Sequence, residues 1–171
     1  MILQALYFML PAYIANMAPV IARGWIKPLC KPVDGGKGIF GNNKTYNGFF
    51  FGVLFALGVT FIQSILYNMV FFREISLVNY NYWFIVGFLL GFGALFGDLI
   101  KSFFKRRIGI APGSRFFPWD QLDFVFGALI FSSLIVKLTF SMMLVIAIVS
   151  VLGHIAVNHT AYYLRIRKEK W

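Results

Sequence analysis

The segment GFFFGVLFALGVTFIQSILYNMVFF, Gly48–Phe72, contains 25 residues and no charged side chain. As an α-helix it would extend about 37 Å, which exceeds the hydrocarbon core of a bilayer, about 30 Å thick. A helix satisfies its own backbone hydrogen bonds, which lipid cannot do. This stretch therefore predicts a transmembrane helix and an integral membrane protein.

The composition of the whole chain also indicates a protein that lies in a lipid bilayer. Hydrophobic residues make up 60% of the 171 residues and charged residues 13%, with a mean hydropathy of +0.76. Soluble domains carry about 25% charged residues. The single cysteine, Cys30, excludes an internal disulfide framework, and the lack of low-complexity sequence excludes a disordered or collagen-like chain.

Four more spans are predicted around this segment. Met1–Ala22 has no charge, Tyr82–Ile100 has only Asp98, and the 43 residues Leu122–Leu164 have only Lys137. As one helix that last region would extend about 65 Å, roughly twice the hydrocarbon core, so a hairpin that turns near Lys137 is expected. The prediction is one all-α transmembrane domain, residues 1–171, with five helices at about 1–22, 48–72, 82–104, 120–136 and 139–165.

Basic residues predict the orientation of these spans. Five spans place the loops 23–47 and 101–120 and the C-terminal tail on one side, where 14 of the 16 Lys and Arg residues lie. Only Arg73 and Lys137 lie on the other side. By the positive-inside rule the two long loops and the C-terminus are cytoplasmic, and the N-terminus is outside.

The net charge of +10 fits either of two partners. Anionic lipid headgroups attract basic residues beside a membrane, and a polyphosphate ligand would also be attracted. Nucleic acid is not an expected partner, because the basic loops are short and flush with the membrane.

Four of the six acidic residues fall at or near the predicted cytoplasmic ends of spans: Asp34, Asp98, Asp120 and Asp123. Asp98 shares one helical face with Lys101, Ser102 and Lys105, which follow it at i+3, i+4 and i+7. An ionisable group beside the apolar core indicates a functional site. Two interpretations stay open for Asp98: a neutralising ion pair with either lysine, or a ligand of a divalent cation whose basic neighbours bind phosphate.

Asp120 and Asp123 follow Pro118 at the start of the fourth predicted span. Acids in a first helical turn can cap exposed N–H groups and interact favourably with the helix dipole. One acid would suffice for capping, however, and two carboxylates at i and i+3 point in the same direction. Carboxylate oxygens suit Mg²⁺, which shares phosphate oxygens with its protein ligands. Metal binding and capping are both compatible with this pair.

The first predicted cytoplasmic loop combines glycines with lysines. Four of its residues between positions 35 and 41 are glycines, and it ends in GNNKT, Gly41–Thr45. Exposed backbone N–H groups beside Lys37 and Lys44 can bind phosphate. This is not a Walker loop, because Asn42 stands where lysine is needed. A flexible linker would have a similar composition, and Asp34 either joins a site or only turns the loop.

The last predicted span contains His154, Asn158 and His159. We expect these side chains to form hydrogen bonds between helices. The face of His154 carries no cysteine or second histidine, so a zinc site is not expected.

Four motifs occur in the order and spacing of a known family: PAYIANMAPV, PVDGGKGIFGNNKTYNGFFFG, GDLIKSFFKRRIGIAPG and PWDQLDFVFGAL, at residues 11–20, 32–52, 97–113 and 118–129. A His-x₃-Asn segment at His154 follows them. Together they resemble the CDP-archaeol synthases, which are related to the bacterial and eukaryotic CDP-diacylglycerol synthases. One departure is Tyr46-Asn47, where the family pattern has Trp and Arg and hence a possible phosphate contact.

The resemblance implies a Mg²⁺-dependent cytidylyltransferase with a five-helix fold and a site at the cytoplasmic membrane surface. It would transfer the cytidylyl group of CTP to 2,3-di-O-geranylgeranylglyceryl phosphate, a membrane lipid phosphate with two isoprenoid chains, and release pyrophosphate. Asp98, Asp120 and Asp123 fall on the acidic positions of the family and would hold the metal, with Lys101 as a further catalytic residue. The expected substrate-binding residues are Lys105, Arg106, Arg107, Lys44, Asn43 and Asn16, with the two asparagines at the ribose or base.

Two other function classes stay open. A CDP-alcohol phosphotransferase would need a DG-x₂-AR motif and two further acids; Asp34-Gly35-Gly36 begins such a motif, but no Ala-Arg follows. A small transporter of an organic anion would need polar residues near mid-membrane and an internal repeat. Polar residues here gather at one end of the predicted spans, which disfavours a transporter.

Overall fold

The computed structural model describes residues 1–111, 114 and 116–163, and most of these residues are helical. The helices are α1 (Ile2–Ile21), α2 (Tyr46–Leu66), α3 (Val70–Glu74), α4 (Trp83–Arg107), α5 (Trp119–Ser132) and α6 (Phe140–Tyr163). Two short 3₁₀ turns lie at Lys27–Cys30 and Tyr80–Tyr82. The predicted all-α class is confirmed. Arg115 and the basic tail 164–171, which both entered the prediction of orientation, lie outside the described residues.

Four helical segments are long and apolar enough to cross a membrane: Ile2–Ile21, Tyr46–Leu66, Tyr80–Arg107 and Phe140–Val157. Helix α5 has 14 residues and therefore extends only about 21 Å, less than the hydrocarbon thickness. A fifth crossing by α5 stays a prediction, as does the orientation of the bundle. The connection between α5 and α6 covers residues 133–139 and includes Lys137.

The apolar segment that contains α2 is divided into two helices. The sequence predicts a span to residue 72, whereas α2 ends at Leu66 and α3 begins at Val70. The Asn68 side chain donates a hydrogen bond to the carbonyl of Ile65 at 3.2 Å. Asparagine side chains that bond to nearby backbone compete with the helical hydrogen bonds. The helix therefore ends before the predicted boundary.

Helix α4 lies at the centre of the bundle and packs against α1, α2 and α5, while α6 packs against α1 and α5. Phe8, Met9, Tyr80, Leu90 and Ile146 are fully buried between these helices. The exposed surface of the bundle is also apolar, with large side chains on every long helix. Both faces of these helices are thus suited to apolar surroundings, as expected for helices in lipid.

Glycines bring α4 and α5 into backbone contact. A Cβ added to Gly93 would lie 2.6 Å from the carbonyl oxygen of Gly127, and a Cβ added to Gly97 would overlap the carbonyl oxygen of Asp123. Small residues at such spacing are typical of closely packed membrane helices. This contact places the second half of α4 beside the first turns of α5.

Candidate active site

One lysine joins three aspartates at one end of the bundle. The Nζ of Lys101 lies 3.1 Å from an oxygen of Asp98, 3.1 Å from one of Asp120 and 2.7 Å from one of Asp123. Asp98 belongs to α4, whereas Asp120 and Asp123 belong to α5. The side chain of Asp123 is only 4% exposed. The structure therefore brings all three predicted acidic residues together in a shielded cluster, which we call the carboxylate cluster.

The close packing of α4 against α5 positions this cluster. Asp98 follows Gly97, and Gly97 lies directly against the backbone of Asp123. Asp120 accepts a hydrogen bond from the backbone N–H of Phe116 at 2.6 Å, and Phe116 precedes the helix. Asp120 therefore stabilises the segment before α5 and does not cap the first turn of α5. Of the two roles open for the acidic pair, the geometry favours convergence on a cation.

Asp98 pairs with a second lysine, Lys44, from the glycine-rich loop. A backbone hydrogen bond of 2.8 Å from the N–H of Val33 to the carbonyl of Lys44 closes this loop. Thr45 caps the start of α2, because its side-chain oxygen accepts a hydrogen bond from the N–H of Gly48 at 3.2 Å. Loop closure and the helix cap together fix the position from which Lys44 reaches α4.

Asp34 turns the same loop. Its carboxylate accepts hydrogen bonds from the backbone N–H groups of Phe40 at 3.2 Å and Gly36 at 3.0 Å. The bond from Phe40, followed by that from Gly36, holds the pKa of Asp34 below its ordinary value. The ring of Phe40 packs against that of Phe103 on α4, with the centroids 6.1 Å apart. Asp34 thus shapes the loop that carries Lys44 and helps to seat it on α4.

A small cleft of about 20 Å³ lies beside the Lys44–Asp98 pair, between α4, the loop and the end of α1. Its walls include Pro19 and two predicted substrate-binding residues, Asn43 and Lys44. Asn16 is half-buried on α1, one turn before Pro19, and is not among the residues that line this cleft in the described part of the chain. The structure therefore brings Asn43 to the cluster and leaves Asn16 further along α1.

Lys105 anchors the connection between α4 and α5. It is buried, and its Nζ donates to the carbonyl of Ser114 at 2.6 Å and to Asp120 at 3.0 and 3.3 Å. An ammonium has three N–H donors, and these contacts occupy them. The predicted phosphate contact of Lys105 is therefore not available in this arrangement.

The two arginines at the end of α4 point in different directions. Arg106 donates to the carbonyl of Ile110, and its buried Nε has no hydrogen-bond partner among the described residues. This Nε would lie 3.6 Å from a Cβ added to Gly41, whose φ of +85° favours glycine. Arg107 is exposed, and its guanidinium lies 5.1 Å from the ring centroid of Phe103. Arg106 therefore faces the glycine-rich loop, whereas Arg107 does not join the cluster.

An apolar groove of about 610 Å³ runs between α4 and α5 on the other side of the cluster. Its walls are mainly apolar, with Phe96, Ile100, Phe104, Trp119, Phe126 and Ile130 among them, and Lys101 and Asp123 are the charged residues that line it. Ile130, Phe104 and Trp119 are at least half exposed. The groove is therefore open along the apolar surface of the bundle and ends at the carboxylate cluster.

The charges in the cluster balance, since its three carboxylates face the ammonium groups of Lys44, Lys101 and Lys105. Within residues 1–111, 114 and 116–163, no group of three or more His, Cys, Asp or Glu side chains is arranged to hold a metal ion. The donor chemistry nevertheless fits Mg²⁺, because three carboxylates converge within 3.1 Å of one nitrogen and Mg²⁺ prefers oxygen ligands. The Lys101 ammonium occupies the point on which the three carboxylates converge.

Sequence reasoning missed two features that organise the site. The first is the glycine contact of α4 with α5, for which the Gly93-x₃-Gly97 spacing was an available signal. The second is Asn47, which is buried and donates to the carbonyl of Ala22 at 2.6 Å. Where the family pattern has arginine, this chain thus ties the start of α2 to the end of α1.

One of the two histidines of α6 has a contact within its own helix. His159 Nδ1 lies 2.9 Å from the carbonyl of Ile155 in its own helix, so this contact is not the inter-helix bond that we predicted. The side chain of Asn158 lies outside the described residues.

Comparison with known proteins gives one consistent result. A family model described as CarS-like CDP-archaeol synthase matches residues 1–171. The CDP-archaeol synthase of Methanococcus aeolicus is 35% identical over 100% of this chain and 97% of that protein. The corresponding protein of Methanococcoides burtonii is 37% identical over 95% and 100%.

A solved structure agrees with these relatives. It is that of an intramembrane enzyme for archaeal membrane lipids biosynthesis, and it is similar to this chain with a TM-score of 0.77 at 32% identity. The similarity covers 92% of this chain and 94% of the other.

Proposed function

The chain belongs to the CDP-archaeol synthase family, and from this premise we propose how its site performs the reaction. It is a CTP-dependent cytidylyltransferase that acts on an archaeal lipid phosphate at the membrane. Family membership does not favour the phosphotransferase and transporter classes. The site assignment rests on one observation. The carboxylates of Asp98, Asp120 and Asp123 all contact the ammonium group of the same lysine, Lys101.

In the proposed reaction an oxygen of the lipid phosphate attacks the α-phosphorus of CTP, and pyrophosphate leaves. The attacking phosphate is already an anion, so no general base is required. Such a reaction is accelerated mainly by positioning the two phosphates and by neutralising their charge. The protein must therefore supply positive charge at a point that both substrates reach.

The protein groups at the carboxylate cluster do not supply that charge. The three lysines that contact the cluster are balanced by its three aspartates. We propose that Asp98, Asp120 and Asp123 hold Mg²⁺. When bound, the ion would neutralise oxygens of the triphosphate and of the leaving pyrophosphate. The carboxylates would hold the ion in place, and Lys44 and Lys105 keep Asp98 and Asp120 in position.

We assign the nucleotide to the side of Asp98 that faces the glycine-rich loop. Lys44 and Asn43 line the cleft there. The buried Nε of Arg106, which has no partner among the described residues, is directed at the open backbone of Gly41. Glycine N–H groups and a guanidinium are suitable ligands of phosphate oxygens. Asn43 is placed for a ribose or base contact, and Asn16 is a more distant candidate for the same role.

We assign the lipid to the groove between α4 and α5. Its apolar walls suit two isoprenoid chains, and its exposed side allows the chains to enter laterally from the bilayer. The phosphate of the lipid would lie at the charged end, beside Lys101 and Asp123. Asp98 would then stand between the nucleotide and the lipid.

We also propose that the site faces the cytoplasm, where CTP is available. In this topology α5 also crosses the membrane, as the fourth of five spans, the N-terminus is outside, and the loops before α2 and α5 are cytoplasmic. Support comes from the basic residues of those loops and from the position of the carboxylate cluster at the same end of the bundle.

A direct assay tests the proposed activity and its metal dependence. The purified full chain in detergent is incubated with CTP, Mg²⁺ and 2,3-di-O-geranylgeranylglyceryl phosphate, and pyrophosphate release and CDP-lipid formation are measured. We expect release that requires the lipid phosphate and is abolished by chelation of Mg²⁺. Equal release after chelation would overturn the metal assignment, and no release under any condition would overturn the reaction.

A further inference from the structure

Lys101 holds the point on which the three aspartates converge, and it also lines the apolar groove. We propose that a divalent cation displaces the Lys101 ammonium from these aspartates, and that the displaced ammonium binds the phosphate of the lipid in the groove. This inference rests on the proposed function and adds to it the order in which the cation and the lipid phosphate bind.

The Lys101 ammonium has no N–H group left for a phosphate in the structure. An ammonium carries three N–H donors, and Asp98, Asp120 and Asp123 accept at 3.1, 3.1 and 2.7 Å. In this state the lysine is fully used by the protein itself. A phosphate contact by Lys101 therefore requires that another cation take over the three carboxylates.

A divalent cation and the ammonium cannot share this point, because like charges a few ångströms apart repel strongly in a shielded site. Three carboxylates are favourable ligands of a divalent cation, which therefore replaces the single charge. The Lys101 side chain is 15% exposed and has a flexible four-carbon stem. It can move without a shift of α4, unlike Lys105, which is buried and holds the carbonyl of Ser114.

The groove is the direction in which the displaced ammonium meets an anion. On the opposite side, Asp98 is already paired with Lys44. In the groove, Lys101 and Asp123 line the same charged end. In the structure the Asp123 carboxylate and the Lys101 ammonium satisfy each other, so a lipid phosphate placed there meets no free positive charge. Cation binding thus adds positive charge to the cluster and frees the ammonium at the same position.

Binding of the cation and binding of the lipid phosphate are consequently coupled. The cation raises the affinity for the lipid phosphate, and by thermodynamic linkage the lipid phosphate raises the affinity for the cation by the same factor. Without a divalent cation, the groove offers the lipid phosphate only a saturated lysine and a carboxylate.

The competition is tested with Mg²⁺ alone. Thermal unfolding of the purified full chain is followed over a Mg²⁺ titration without CTP or lipid. Lys101→Met keeps the apolar stem and removes the competitor, so it should unfold at a lower temperature than the wild type without Mg²⁺ and respond half-maximally at about tenfold lower Mg²⁺. Lys27→Met removes one exposed charge outside the cluster and should respond as the wild type does. A Lys101→Met response at equal or higher Mg²⁺ overturns the proposal.

The coupling is tested by equilibrium binding of radiolabelled 2,3-di-O-geranylgeranylglyceryl phosphate in detergent micelles. Mg²⁺ should tighten binding to the wild type about tenfold and should tighten binding to Lys101→Met clearly less, because that variant keeps the charge of the bound cation and lacks the freed ammonium. Lys101→Arg keeps the charge and should restore most of the coupling. Should Lys101→Met not fold, the wild type decides, because binding that is independent of Mg²⁺ overturns the proposal.

The two levels of proposal fail in different ways. A wild-type protein that releases no pyrophosphate would refute the proposed function. Normal turnover together with an unchanged Mg²⁺ titration of Lys101→Met would refute only the displacement of Lys101.

Discussion

Gly97 of α4 lies so close to the carbonyl oxygen of Asp123 on α5 that no side-chain atom fits between them. This contact sets the separation of the two helices at the level where Asp98 and Asp123 bind the same lysine. The positions of the charged groups therefore depend on a residue that has no side chain. Helix packing and the carboxylate cluster form one unit.

Gly97→Ala should separate the helices and disperse the carboxylates. Forcing a methyl group into this contact should lower the free energy of unfolding by about 3 kcal/mol, and turnover should fall with it. The matched control is Gly58→Ala, because a Cβ at Gly58 meets nothing within 4 Å. Alanine there should stabilise α2 by up to about 1 kcal/mol. Thermal unfolding and pyrophosphate release are measured for both, and a Gly97→Ala protein equal to the wild type would contradict this account.

Asp98→Asn should abolish most of the turnover, because it keeps the shape of the side chain and removes the charge shared by Lys44 and Lys101. We expect kcat to fall on the order of 10²- to 10³-fold, the usual cost of one electrostatic group in an active site. Glu74→Gln removes an exposed acid elsewhere and should leave kcat unchanged. Near-normal turnover of Asp98→Asn at saturating Mg²⁺ would disprove the metal role of Asp98.

Part of this site could be predicted because local geometry decides it. The i and i+3 spacing on a helix is enough to pair Asp98 with Lys101 and to align Asp120 with Asp123. The pairing of Lys44 with Asp98 depends on how a loop closes, and helical periodicity carries no information about that.

The directions of the basic side chains at the end of α4 could not be predicted from the sequence either. Lys105, Arg106 and Arg107 are consecutive on α4, so they necessarily point to different sides of the helix. Which of them meets the cluster depends on the segment packed against α4, and that segment uses the carbonyl of Ser114 to bind Lys105. Similarly, hydropathy identified the apolar region of α5, but it did not locate the end of this 14-residue helix at Ser132, where the carbonyl of Ser132 accepts hydrogen bonds from Ile135 and Val136 in a turn.

Asp34 should act as a positioning residue for CTP. Asp34→Ala removes both acceptors of the loop hydrogen bonds, so Lys44 should be less well placed, and KM for CTP should rise about tenfold with a smaller change in kcat. Asp34→Asn keeps one acceptor oxygen and should recover part of the loss. Lys27→Ala, an exposed change in the same connection, should have no effect. An unchanged KM for CTP in Asp34→Ala would refute this role.

The pH dependence of the contribution of Asp34 to CTP binding follows from the direction in which its pKa is shifted. The pKa of Asp34 in the folded protein lies below its ordinary value because of the N–H groups of Phe40 and Gly36. Because this pKa is lowered, the stabilising contribution of the Asp34 carboxylate to the loop is fully present above the pKa that Asp34 has in the unfolded chain. It is lost only as the pH falls through the pKa that Asp34 has in the folded protein. Between about pH 5 and 8, KM for CTP should therefore show no change due to Asp34.

The groove between α4 and α5 should determine the affinity for the lipid and not for the nucleotide. Ile130→Trp fills part of the groove, so KM for the lipid phosphate should rise about tenfold, the cost of roughly 1 to 3 kcal/mol of overpacking, while KM for CTP stays unchanged. Ile148→Trp on α6 is a similar change at an exposed position outside the described groove lining. Equal effects of the two variants on lipid KM would contradict the assignment.

The single cysteine of the chain tests the proposed orientation. Cys30 ends the 3₁₀ turn Lys27–Cys30 in the loop before α2, which we place in the cytoplasm with the carboxylate cluster. A membrane-impermeant thiol reagent should therefore label it in inside-out vesicles and spare it in intact cells. In Cys30→Ser combined with Asn81→Cys, the cysteine lies in the exposed turn before α4, at the opposite end of the bundle. That variant should be labelled in intact cells only. Labelling of Cys30 from outside would overturn the proposed topology, because it would place the carboxylate cluster on the side where CTP is absent.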